Sequence, residues 1–129
     1  MVKVKEIMSK NPIKVSADKT VREAINIMSE KKIGSLLVYQ DHEIVGILEE
    51  NDIVRNVLFK DLNPYVVKVG AVMSVPFVID ENQDDNEASN MMHQHKVRHL
   101  AVSVNGKIGG IVSMQDLIRP VYTGRSIWV

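Results

Sequence analysis

The sequence predicts a mixed α/β fold of the α+β kind, built from two copies of one β-α-β-β-α repeat, and three observations predict it. Gly110-Ile111-Val112-Ser113-Met114-Gln115-Asp116-Leu117-Ile118-Arg119 is a close copy of Gly46-Ile47-Leu48-Glu49-Glu50-Asn51-Asp52-Ile53-Val54-Arg55 at an offset of 64 residues, so the chain is an internal duplication. Thr20-Val21-Arg22-Glu23 has the form of a helix capping box, and Val21, Ala24, Ile25 and Met28 follow it on one helical face. Asn105-Gly106 separates two apolar runs, a hairpin signal because both turn positions need positive φ.

Taken in order, Val4 to Met8 is a short amphipathic lead-in that Asn11-Pro12 stops, and Ile13-Lys14-Val15 alternates as a brief strand. A helix is expected over about residues 20–32. Ile33 to Tyr39 and Glu43 to Leu48 then form a hairpin around a polar turn at Asp41-His42, and a short helix runs from Asp52 to Phe59. The second copy repeats each element. Its lead-in is Val69 to Ser74 and its strand Pro76 to Ile79. Its helix starts at Asp84 as cap with Glu87 three positions on, but Asp85 and Ser89 stand where Val21 and Ile25 stood. Ala88, Met91 and Met92 are left to make the buried stripe, so this helix is expected to pack more weakly. Val97 to Val104 and Lys107 to Val112 form the second hairpin, and a helix from Asp116 to about Arg119 is cut by Pro120. The repeats therefore span 1–60 and 68–122, with 61–67 as linker and 123–129 as a tail carrying Trp128.

At 129 residues the chain buries a real core, but about 60 residues per repeat is marginal for independent folding, so the repeats are expected to share one. Sixteen Lys+Arg balance sixteen Asp+Glu, which gives no global field toward nucleic acid or an anionic membrane. There is no cysteine, hence no disulfide framework, thiolate nucleophile or thiolate metal ligand. The N-terminus has no apolar signal core and no run approaches the roughly 18 apolar residues of a membrane span, so a cytoplasmic location is expected. No Gly-x-Ser-x-Gly, Walker loop, dinucleotide fingerprint or paired zinc motif is present, and the reading is of a protein that is not an enzyme. His93, His95 and His99 invite a metal, but His95 and His99 fall on either side of the helix end near Lys96, so no metal is expected.

In each copy an apolar strand runs through a glycine into a helix start, which leaves a polar residue and an Asp three positions later where backbone N–H groups point outward. Ser113 and Asp116 hold these places in the second copy, Glu49 and Asp52 in the first. Ser-x-x-Asp ahead of a helix also suits an N-terminal cap, and spacing alone does not separate cap from ligand group. Glu49, Glu50 and Asp52 crowd three carboxylates at one helix start and repel phosphate unless a cation answers them.

The lead-ins Ile7-Met8-Ser9 and Val72-Met73-Ser74, the junctions Lys32-Ile33-Gly34-Ser35-Leu36 and Lys96-Val97-Arg98-His99-Leu100, and the two Gly-to-Asp segments together resemble the tandem CBS-domain family, also called the Bateman module. The resemblance covers nearly the whole chain. It implies two repeats packed with pseudo-two-fold symmetry, clefts between them that bind AMP, ADP, ATP or S-adenosylmethionine, and no required cofactor. It implies that Asp116 takes the ribose hydroxyls and Ser113 lies near phosphate, with Pro12, Ile13, Ile33, Gly34 and Ser35 walling that cleft. Pro76, Phe77, Val97, Arg98 and His99 would wall the Asp52 cleft, where Phe77 stacks on a base and Arg98 supplies positive charge beside Glu49. Ile33 and Val97 read as core whether or not a ligand binds beside them.

The function expected from this resemblance is a stand-alone sensor that binds an adenosine-containing ligand and signals occupancy to a regulated protein, as a homodimer to which Trp128 and the Leu58-Phe59 edge contribute. The alternative is a ligand-free interaction scaffold with the same fold. Nucleic acid is not an expected partner.

Overall fold

A computed structural model describes residues 1–122, and its backbone hydrogen bonding follows the β-α-β-β-α order twice. The elements are α1 (Val4–Ile7), β1 (Lys14–Ser16), α2 (Val21–Lys31), β2 (Ser35–Gln40), β3 (Glu43–Glu49) and α3 (Glu50–Ile53). They continue with α4 (Val69–Val72), β4 (Val78–Asp80), α5 (Asp85–His95), β5 (His99–Val104), β6 (Lys107–Ser113) and α6 (Met114–Tyr122). Two three-stranded sheets result, β1-β2-β3 and β4-β5-β6, each with a parallel first pair and an antiparallel hairpin.

The caps behave as their sequences predict. Thr20 Oγ1 accepts from Glu23 N–H at 3.2 Å and Asp84 Oδ1 from Glu87 N–H at 2.9 Å. Both long helices end on a lysine in the left-handed region, Lys32 at φ 57° and Lys96 at φ 56°. The hairpin turns place both residues at positive φ, Asn105 and Gly106 in one and Asp41 and His42 in the other.

The chain packs into two compact units whose limits are offset from the sequence repeats. Unit I is Pro12–Pro76; unit II joins Met1–Asn11 to the chain from Phe77 onward. The lead-ins cause the offset. The second repeat's Ser74 exchanges two backbone hydrogen bonds with Ile47 of the first, at 2.8 and 2.9 Å. The first repeat's Ser9 does the same with Ile111, at 2.8 and 3.2 Å, while Val4 N–H donates to Gln83 O at 2.8 Å. The 61–67 linker belongs to unit I: Val21 N–H reaches Val67 O and Arg22 N–H reaches Pro64 O, both at 2.9 Å, and the Arg22 guanidinium lies over the Tyr65 ring.

Unit I buries Val15, Val21, Ala24, Met28, Leu36, Val38, Leu48 and Val57 in one cluster; in unit II Val4, Ile79, Ala88, Met92, Leu100, Val102 and Val112 do the same work. As predicted, α5 is the weaker helix. Val21 is fully buried, worth about 1.5–3 kcal/mol, whereas Asp85 at the matching place is half-buried and its Oδ1 has no hydrogen-bond partner among the described residues. Met91 lies at the margin of the stripe rather than within it.

Two helix boundaries differ from expectation. The helix expected from Asp52 begins at Glu50, because Asp52 is its third residue and turns back to Glu49 N–H; it then widens into a π-helical turn over Val54–Leu58, closed by Phe59 N–H to Val54 O at 2.9 Å. The helix expected from Asp116 to about Arg119 begins at Met114 and runs through Pro120 to Tyr122. Near a helix end the loss of one proline donor does not stop it. Trp128 and the tail lie outside the described residues. Among the described residues no helix is long and apolar enough to cross a membrane.

Gly110 is buried where Ser9 crosses β6, and a Cβ there would stand 2.7 Å from Ser9 O and 2.9 Å from Met8 Sδ. Gly110→Ala is expected to lower stability by about 1–3 kcal/mol, read as a shift of the urea midpoint; an unchanged midpoint would show that the lead-in does not need this close approach.

Candidate functional site

In unit II the β5-β6 hairpin sets His99 opposite Ser113, and β6 passes directly into α6. Ser113 N–H donates to Asp116 Oδ2 at 2.8 Å, and Asp116 N–H donates to Ser113 Oγ at 3.1 Å. This is a reciprocal capping box, so the cap role of the Ser-x-x-Asp spacing is real. It does not exhaust the chemistry. Having accepted one N–H, the Ser113 hydroxyl still has a proton to donate, and a carboxylate offers about four acceptor positions. Arg98 anchors the helix start through its backbone, its carbonyl accepting Met114 N–H at 2.8 Å, while its side chain is exposed.

Val97 packs against the unit II core, as its structural reading expected. Phe77 lies at the start of the unit, its carbonyl taking Ala101 N–H at 2.9 Å. Its ring, 41% exposed as a residue, stacks on His95 with centroids 3.9 Å apart and planes within 9°. One face of the ring is thus covered by an imidazole. Pro76 is the last residue of unit I.

In unit I the corresponding junction lies against the first copy's Gly-to-Asp segment. Ser35 pairs with Glu49 across β2-β3, and Gly34 O accepts Glu50 N–H at 3.1 Å. A Cβ on Gly34 would collide with the Glu50 carboxylate. Ile13 is exposed on its outer side and its carbonyl holds Leu37 N–H at 3.2 Å, beside half-buried Pro12. Each junction therefore neighbours its own copy's Gly-to-Asp segment: Ile33, Gly34 and Ser35 that of Glu49 and Asp52, and Val97, Arg98 and His99 that of Ser113 and Asp116. The hairpin register dictates this, a signal already present in the paired apolar runs.

Ser74 is the residue sequence reasoning missed. Its hydroxyl donates to Asp52 Oδ1 at 2.7 Å across 22 residues of chain, and no local spacing announces it. A groove of about 550 Å³ also opens in unit I, lined by Ile25, Met28, Ile33, Ile53 and Val54, with Lys32 and Glu50 at its polar edge. That volume and apolar floor are of the size small ligands occupy. Among the described residues no group of three His, Cys, Asp or Glu side chains is placed to hold a metal.

The CBS-domain family model matches residues 4–58 and 69–122. An uncharacterized protein of Methanopyrus kandleri is 35% identical over 121 residues, which are 92% of this chain and 62% of that one. One of Methanocaldococcus jannaschii is 32% identical over 117 residues, 88% of this chain and 63% of that protein. The chain thus spans somewhat under two thirds of these relatives. The crystal structure of a conserved protein from Pyrococcus horikoshii superposes with TM-score 0.87 at 28% identity, covering 99% of this chain and 96% of that one. The CBS domain pair of protein MJ0100, in complex with 5′-methylthioadenosine and S-adenosyl-L-methionine, shares the fold with TM-score 0.82 at 23% identity, covering 93% and 99%.

Ser113→Ala removes the acceptor for Asp116 N–H and is expected to lower stability by about 1 kcal/mol, with Ser113→Thr close to wild type. Equilibrium urea denaturation of the three proteins checks this, and equal midpoints for Ala and Ser would remove the cap role.

Proposed function

This chain belongs to the CBS-domain family as a pair of CBS domains, and from that premise we propose that it is a regulatory module that binds an adenosine-containing ligand at its second Gly-to-Asp segment. The observation that carries the reading is the Ser113/Asp116 pair. The capping box holds both side chains in fixed rotamers at the start of α6, so an anionic acceptor for a ribose diol and a hydroxyl donor for phosphate are pre-organised together. A carboxylate suits vicinal hydroxyls because each of its oxygens takes a separate O–H donor. The MJ0100 pair, which shares the fold and is in complex with 5′-methylthioadenosine and S-adenosyl-L-methionine, supports an adenosyl ligand for such a pair.

The reading is of a binding module and not an enzyme. A ligand shifts the conformational equilibrium only by its differential affinity for the two states, so the signal consists of whichever state the adenosyl group fits better. A regulated protein or a second copy of the chain receives it. Exposed apolar residues on the π-helical turn and beyond it, Val54, Leu58 and Phe59, the last 85% exposed, are suited to a homodimer contact.

One observation favours a second reading, an interaction scaffold without ligand: the reciprocal cap alone accounts for Ser113 and Asp116 at this spacing.

Thermal melting with AMP, ADP, ATP, adenosine and S-adenosylmethionine separates the two. A ligand at about 100 times its dissociation constant stabilises the native state by ~2.7 kcal/mol. The expected result is a rise in melting temperature with at least one of them that Asp116→Asn abolishes. No rise with any ligand, in protein shown to be free of bound nucleotide, together with a lower basal melting temperature for Asp116→Asn, establishes the scaffold reading.

A further inference from the structure

The groove in unit I is a seam between two helical stretches with its charge gathered at one end. Ile25, Met28, Ser29 and Lys32 line it from α2 and the residue that ends it, spaced three and four apart along one face. Glu50, Ile53 and Val54 line it from α3 and the start of the π-helical turn at the same spacing. Met28 and Ile53, 6% and 7% exposed, make the floor, with Ile25 and Ile33 half-buried beside them. Two of the lining residues are charged, Lys32 and Glu50, and the fold brings both to the end where α2 stops and α3 starts. Lys32 is the left-handed residue that closes α2, its N–H donating to Met28 O. Glu50 N–H donates to Gly34 O at 3.1 Å, and its carboxylate lies over Gly34 in the space that a Cβ would take. Acid and base are thus held beside positions two residues apart in the chain. Among the described residues, neither Lys32 nor Glu50 forms an ion pair.

We propose that this groove is a ligand site of its own, for an α-amino acid with an apolar side chain. Its carboxylate meets Lys32, its ammonium meets Glu50, and its side chain lies along Ile25, Met28, Ile33 and Ile53. Charge complementarity selects the class. An apolar carboxylic acid satisfies Lys32 and is repelled by Glu50, and an apolar amine does the reverse. An uncharged apolar molecule draws water away from both charges and answers neither. A zwitterion with an apolar body answers both and covers the floor, through hydrogen bonds of the charge-assisted, stronger kind. A volume of about 550 Å³ accommodates the larger apolar members of the class. The second copy lacks the arrangement: Ser89 stands in the place of Ile25, Arg98 in that of Gly34 and Met114 in that of Glu50, so of the charged pair it keeps only Lys96. One amino acid per chain follows. The site uses neither Ser113 nor Asp116 and does not rest on the adenosyl reading.

Solution NMR of the full chain, observing backbone amides and the Ile and Met methyl groups, tests this by titration with leucine and with phenylalanine. Each is compared with its analogue lacking the ammonium (4-methylpentanoate, 3-phenylpropanoate) and its analogue lacking the carboxylate (3-methylbutylamine, 2-phenylethylamine). The expected result, for at least one of the two amino acids, is a saturable shift of the Lys32, Gly34 and Glu50 amides and the Ile25, Met28 and Ile53 methyls. Both of its analogues should bind at least about tenfold more weakly, because each leaves one charge unanswered. Glu50→Gln and Lys32→Gln, at exposed side chains, should melt close to wild type and weaken the amino acid by a similar factor. Glu50→Gln should also bind the carboxylic acid analogue better than wild type does, a gain that a damaged fold does not give. Shifts that are absent or confined to other parts of the chain overturn the proposal, as does equal binding of an amino acid and either analogue, or variants that bind as tightly as wild type. The comparison of analogues on the wild-type protein decides the matter even where a variant does not fold. Groove signals that move with protein concentration and with neither amino acid assign the groove to a second copy of the chain, and overturn the proposal as well.

Discussion

Each unit closes where a lead-in from one sequence repeat lies against the hairpin of the other, and that approach depends on a residue with no Cβ. Gly46 faces Met73 and Ser74; Gly110 faces Met8 and Ser9. At both places the two backbones come close enough to exchange a pair of hydrogen bonds, which satisfies donors and acceptors on the open side of β3 and β6. The remaining features follow from this arrangement. The lead-in helices add Val4 to one core and Val69 and Val72 to the other, and the units in space are displaced by about a dozen residues from the repeats in sequence.

The duplicated framework is symmetric in backbone and unequal in side chains. Both hairpins carry their register shift at the same place, between Val38 and Tyr39 and between Val102 and Ser103, and both long helices end on a left-handed lysine. Inequality enters at the first helical turns. Val21 is replaced by Asp85, which thins the core of unit II, and Ser113 has Glu49 as its counterpart, which changes the polarity of the helix start. The second copy's helix start carries a hydroxyl and one carboxylate, Ser113 and Asp116, in a reciprocal cap. The first copy's helix start gathers Glu49, Glu50 and Asp52, and there Asp52 accepts Glu49 N–H and the Ser74 hydroxyl.

The aromatic residues show how tertiary packing redirects local potential. A partly exposed Phe77 at a strand start has the shape of a stacking platform, yet His95, arriving from the end of α5, lies flat upon it. Parallel rings at 3.9 Å remove apolar area from water on both faces of the contact and hold the end of α5 to the strand. Apolar exposure is instead concentrated on the π-helical turn and the segment beyond it, where Leu58, Phe59, Tyr65 and Val66 face outward.

The repeat offset, the capped helices, the two hairpins and the weaker second helix were legible in the sequence, because each depends on residues within a few positions of one another: a Thr or Asp three before a Glu, apolar residues at helical spacing, two turn residues between apolar runs. The Ser113/Asp116 pair was legible for the same reason, although its spacing serves a cap and a ligand alike. Tertiary structure decided what depends on long separations in the chain. It alone joined Ser74 to Asp52 and His95 to Phe77, set the lead-ins on the opposite repeats, and started the two short helices two residues early by turning Asp52 and Asp116 back onto the preceding strand ends. Local spacing determines which backbone groups need a partner; only the folded chain determines which distant side chain arrives to meet them.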